Sequence, residues 1–237
     1  MKKRLFISAI GNIGIFAMVI AATVIMLTGY RFMGDDIALT STKVEVLKFF
    51  TVDSNLLMGA IAAVLAVMEI LLLCGKITQI PAWAYTLKLV GTVGVVLTML
   101  TTVLFLAPFL VEDYWSLFRN ANLFFHLVVP LVCLLVYLFG ESTTSVRWRY
   151  SFWGMVPMGM YAIFYTINAL SHIQDGKVPY AYDWYGFVQG GVSNMAFVLP
   201  IMLLGTYLIC YLLWLGNRAM GKLYAKGQHA DTNTKQL

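Results

Sequence analysis

Residues 49–73 read FFTVDSNLLMGAIAAVLAVMEILLL. From Leu56 onward the run is apolar on every side except at Glu69. It is long enough to cross a hydrocarbon layer, which takes about 20 helical residues. Such a run reads as a membrane helix, since a lipid-facing barrel strand would alternate apolar and polar positions. Its entrance is different: Thr51, Asp53, Ser54 and Asn55 stand where the helix would enter lipid. Polar side chains at that depth are costly and point to function by default.

Working outward, similar runs recur along the chain. They predict six transmembrane helices at about 5–28, 49–74, 84–109, 121–140, 153–172 and 193–215, followed by a polar, loosely ordered tail over 216–237. The fold class is therefore all-α, a polytopic bundle forming a single domain. Composition agrees: the 237 residues are 60% hydrophobic and 11% charged, where soluble domains carry about a quarter charged residues. Recurrent apolar runs also exceed what a cleaved signal peptide explains. Cys74, Cys133 and Cys210 lie in or at the ends of these runs without metal-site spacing, so they read as packing residues. The net charge of +5 is gathered in short clusters at the ends of runs. No basic face forms, which argues against a nucleic-acid partner.

Charge also sets orientation. With the amino terminus cytoplasmic, ten Lys and Arg fall inside, among them Lys2, Lys3, Arg4 and Lys76, and five outside. This predicts an integral protein of the plasma membrane with both termini cytoplasmic. The second and fourth spans then start outside, and the fifth ends there. Thr42 followed by Glu45 forms a capping box, predicting a helix that runs through Val44, Leu47 and Phe50 into the second span with Thr51 about two turns in. Residues 174–185, QDGKVPYAYDWY, predict an aromatic cap at the interface.

Three polar pairs share the outer leaflet: Thr51 and Asn55, Asn122 and His126, and Asn168 and His172. Helical spacing puts Thr51 and Asn55 on one face and Asp53 roughly 200° away. Asn122 and His126 likewise share a face. A hydroxyl is a weak nucleophile that needs a base within hydrogen-bond reach, and imidazole is suited to that task. Asn55 and Asn122 can orient the ring or stabilise an oxyanion. Asp53 serves as a supporting residue, either paired with Arg119 or orienting a second polar group. His172 is a further supporting candidate. A second reading makes His126 and His172 axial ligands of a haem, but the further histidine pairs of a multi-helix cytochrome are missing, so no cofactor and no metal are expected. Glu69 and Lys88, the deepest charges, are expected to form a structural ion pair.

KFFT (48–51) followed by SNLL, and NLFFH (122–126) with Pro130 four residues on, resemble the androgen-induced, FAR-type family of six-helix membrane proteins and its bacterial relatives. Characterised animal members are threonine hydrolases of fatty acid esters of hydroxy fatty acids. Lys48 and Thr51 match the family's threonine after Lys-x-x, and Asn122 and His126 match its histidine motif. SNLL is closer to the bacterial relatives. The resemblance implies a lipid-ester hydrolase with Thr51 as nucleophile and His126 as base. Membrane lipids and a lipid-like small molecule would be its partners, the substrate chains lying among Phe49, Phe50, Phe124 and Phe125. The alternative is a non-enzymatic transporter or ligand-binding scaffold using the same outer cluster.

Overall fold

The structure, a computed structural model, describes residues 2–34, 43–110, 113–188 and 191–234. Among these the architecture is helical and contains no strand. We label the main helices α1 (Lys2–Thr28), α2 (Phe50–Leu73), α3 (Ala82–Thr101), α4 (starting at Asn120 and ending at Gly140), α5 (Val156–Ser171) and α6 (Met195–Thr234). Five of them, α1, α2, α3 with its extension to Phe109, α4 and α6, are long and apolar enough to cross a membrane. The fifth predicted span is shorter than expected. Its α-helix has 16 residues and is preceded by a 3₁₀ segment, Trp148–Met155.

The pattern of burial is that of a membrane bundle. Large apolar side chains such as Ile20, Ile163, Ile167 and Ile201 face outward, while Asn12, Asn55, Glu69, Lys88, Asn122 and His126 are buried. Helix α3 is the central element, packing on α2, α4, α5 and α6. Its close approach to α2 depends on Gly91 and Gly94. A Cβ at Gly91 would stand 2.8 Å from Met58 Sδ, and one at Gly94 3.1 Å from Ser54 Cβ.

Two local expectations change. The segment before α2 is not a continuous helix. A 3₁₀ turn over Lys43–Lys48 ends at Phe49, whose backbone is extended (φ −91°, ψ 128°), and α2 starts afresh at Phe50. Thr51 therefore lies in the first turn of α2, not two turns in; Thr42 of the expected capping box lies outside the described residues. The aromatic cap explains the break. The Tyr161 hydroxyl donates to Lys48 O, and the Tyr185 hydroxyl accepts from Phe50 N at 2.9 Å. Backbone groups on both sides of Phe49 are thus satisfied by side chains, as helix ends require. Burial pushes the Tyr185 phenol up to about 12, so it caps the helix as a neutral hydroxyl.

The expected loose tail is also different, because α6 continues as helix to Thr234. It is tied down by Asn217 Nδ2, which donates to Tyr137 O at 2.5 Å and Glu141 O at 3.3 Å. Further along, the Arg4 guanidinium lies 4.7 Å from the Tyr224 ring centre.

Candidate functional site

His126 sits in a π-helical turn. Over Phe124–Val128 the α4 ladder switches register, and Val129 N reaches Phe124 O, five residues back. The local sequence supplies the cause. Pro130 lacks an N–H, and in a regular helix its ring would press on the carbonyl four residues earlier, that of His126. Widening the turn relieves that contact. A second π-turn, Thr102–Leu106, extends α3, with Ala107 N bonded to Thr102 O.

These two turns meet. Thr102 Oγ1 and His126 Nδ1 share a short hydrogen bond, with His126 2% exposed and Thr102 1% exposed. The other ring nitrogen, Nε2, is buried and makes no hydrogen bond among the described residues. The sequence reading missed Thr102, although TMLTT (98–102) carries three threonines into the last turns of an apolar run. Thr98 returns its hydroxyl to Val95 O at 2.8 Å, as threonines in apolar helices commonly do; Thr102 does not follow that habit.

Thr51 and Thr102 line one cavity of about 130 Å³ together with Thr98 and Thr101. Its other walls are aromatic and apolar, including Phe50, Tyr161, Tyr165 and Tyr185. The Thr51 hydroxyl makes no hydrogen bond to another described residue and so remains available to a ligand. The position of the threonine is held from behind by Asn55, whose Nδ2 donates to Thr51 O at 2.8 Å and to Phe125 O at 3.2 Å. One amide thereby ties the first turn of α2 to the π-turn of His126. Asn55 Oδ1 is buried without a hydrogen-bond partner among the described residues.

The remaining expected residues divide. Asn122 is fully buried on the inward side of α4, as expected. Asp53 is partly exposed on the side of Tyr161 and Tyr185, and it does not pair with Arg119, which instead holds Asp113 at 2.8 Å. His172 is engaged elsewhere: its Nδ1 meets Asn168 O at 2.8 Å and its ring stacks on Tyr182 with centroids 3.6 Å apart. No ring contact or hydrogen bond joins it to Thr51 or His126 among the described residues. Of the four phenylalanines expected to line the substrate path, Phe50 borders the cavity, whereas Phe125 is packed in the core. On the side away from α2 and α3 the cavity is walled by α5 and α6, through Met158, Leu199 and Met202 among others, and no residue of α4 lines it.

The expected Glu69–Lys88 pair is replaced by a four-residue cluster at the far end of the bundle. Asn12 Nδ2 donates to Glu69 Oε2 at 2.9 Å and to Glu141 Oε1 at 2.6 Å. Lys88 Nζ donates to Asn12 Oδ1 and lies 3.3 Å from Glu141 Oε2. Lys88 thus pairs with Glu141, the residue that follows α4, and is linked to Glu69 through Asn12.

No known family, curated protein or solved structure matches this chain. Fold and site together define a class: an all-helical bundle of membrane-helix character with a buried threonine–histidine centre beside an aromatic-walled cavity.

Proposed function

We propose that this is a six-span plasma-membrane hydrolase of lipid esters, with both termini cytoplasmic and the Thr51 end of the bundle in the outer leaflet. The observation that carries the reading is the divided use of His126: one nitrogen is engaged by Thr102, which lines the same cavity as Thr51, and the other is buried and makes no hydrogen bond among the described residues. In the productive tautomer Nδ1–H donates to Thr102 Oγ1, which orients the ring and leaves Nε2 as the base. As Thr51 Oγ1 attacks the ester carbonyl carbon, Nε2 takes its proton. Collapse of the tetrahedral intermediate breaks the C–O bond, and the departing alcohol receives the proton from Nε2. Water, activated by the same nitrogen, then hydrolyses the acyl-Thr51 ester to release the fatty acid.

The volume of the cavity fits the reacting group and not the whole lipid. At about 130 Å³ it is comparable to the ~150 Å³ engineered cavity that accepts benzene. The ester and its first methylenes occupy it, and the chains leave sideways between α5 and α6. The outward apolar face of α5, with Met160, Ile163, Phe164 and Ile167 exposed, supports its placement as a sixth span with the 3₁₀ segment making up its length.

A fluorophosphonate-type probe on the detergent-purified protein tests the reading. Wild type is expected to label, and Thr51→Ala and His126→Ala to lose labelling while remaining monodisperse. Because Thr102 is the hydroxyl bonded to His126 and borders the same cavity, a second reading makes Thr102 the nucleophile. Labelling that persists in Thr51→Ala and disappears in Thr102→Ala selects it. An unlabelled wild type returns the cavity to a ligand-binding or transport role, measured as solute flux in proteoliposomes.

A further inference from the structure

The cluster at the far end draws one side chain each from α1, α2 and α3 and one from the residue after α4, and all four are at most 2% exposed. Asn12 is its hub, and the chemistry dictates the amide's orientation: an ammonium only donates and a carboxylate only accepts. Two carboxylates and one ammonium leave one negative charge without compensation. Burying such a charge is costly, and the usual remedy is neutralisation. The groups around the cluster do not supply the missing positive charge. Tyr85 on α3 and Cys133 and Tyr137 on α4 face it, and a phenol or thiol carries no positive charge. Arg4 stays at the rim, half-buried, bonded to Ser142 Oγ at 3.1 Å and Ser142 O at 3.3 Å.

The two carboxylates are not equivalent. Glu141 has Lys88 beside it, whereas no ion pair reaches Glu69 among the described residues. Beside the Glu69 carboxyl lies the Ser8 hydroxyl. Ser8 is 1% exposed, and its oxygen makes no well-formed hydrogen bond among the described residues. An acid O–H on Glu69 would satisfy that oxygen and cancel the excess charge together.

We propose that the Asn12-centred cluster is a proton-binding site, carrying one exchangeable proton on Glu69 that the carboxyl donates to Ser8 Oγ. Loading joins one proton from water to the Glu69 carboxylate, giving the neutral acid. Ser8 also borders an open groove of about 550 Å³ whose rim carries Lys3, Arg4 and Tyr224, so the site loads from the face holding the amino terminus. This function is independent of the hydrolase reading and uses none of its residues.

Infrared difference spectroscopy on the full-length protein, reconstituted in phosphatidylcholine, reads the proton directly. Wild type is expected to show a carboxylic-acid C=O band at neutral pH that Glu69→Gln removes. Glu141→Gln, which leaves one carboxylate for one ammonium, is expected to remove it too. Lys88→Met, leaving two uncompensated carboxylates, should double it. Ser8→Ala should move the band to higher frequency, with Ser8→Thr restoring its position. Gln at position 69 is nearly isosteric with the acid, so that variant is expected to fold, as size exclusion will check. A wild-type spectrum identical to that of Glu69→Gln overturns the proposal. An unshifted band in Ser8→Ala overturns the placement of the proton on Glu69.

Discussion

Around Thr51 the buried polar side chains are hydroxyls, amides and one imidazole, the threonines border a cavity, and His126 and Asn55 each keep one atom without a partner among the described residues. Around Asn12 the buried side chains are charged and turned on one another, drawn together from the beginning of the chain, its middle and the end of α4. Both arrangements bury polar groups in a bundle whose outside is apolar, yet they do so for different ends. Neutral groups beside a cavity can wait for a molecule at modest cost. Charged groups without one must be balanced internally, which makes the second region a fastener as well as a site.

Variants at the two ends should separate these roles. The largest effect is expected from Thr51→Ala and His126→Ala, which should abolish probe labelling; for Thr51→Ala the unfolding midpoint should hardly move. Asn12→Leu should do the reverse. It strands Glu69 and Lys88 without their shared partner and should cost about 3–5 kcal/mol of stability, the range for breaking a buried charge pair, measured by thermal or denaturant unfolding in detergent. If labelling falls in step with stability for both sets, the two ends are one mechanical unit and the contrast fails. Thr102→Val keeps the side-chain shape and removes the partner of Nδ1; misplacing the imidazole should slow labelling by about 10²-fold. Asn55→Ala removes the amide that bridges Thr51 O and Phe125 O and should cost about 1–3 kcal/mol through the unpaired carbonyls. The smallest effect is expected from Tyr185→Phe, which frees Phe50 N at the start of α2, at about 1 kcal/mol.

Much of the architecture is legible from apolar run length, and four of the six expected spans appear within a few residues of their places. The inward setting of Asn55, Asn122 and His126 follows from the cost of facing lipid with an amide or imidazole. Less legible is what depends on contacts between distant segments. The break at Phe49 is made by Tyr161 and Tyr185, more than a hundred residues away, and no local pattern in KVEVLKFF announces it. Asn12 and Glu141 look unremarkable alone; they matter because four elements converge on them. Thr102 was hidden for a related reason, since a threonine in an apolar helix is usually content with its own backbone. The extension of α6 beyond residue 215 depends on Asn217 finding the end of α4, which composition does not reveal.

The π-turn over Phe124–Val128 has a consequence for how this chain tolerates insertions and deletions. It holds one residue more than the α-helical ladder would, so removing any one of its residues together with Pro130→Ala would let the ladder close in ordinary register. Because the widened turn already absorbs that residue, the two halves of α4 would then keep nearly their present azimuths, whereas one residue removed from an ordinary α-helical stretch rotates everything on one side of the cut by about 100°. Single-codon deletions in the π-turn that spare His126 are therefore expected to disturb the packing of α4 less than deletions elsewhere in the helix. A deletion scan of α4 in the Pro130→Ala background should show a local peak of retained folding over these five positions.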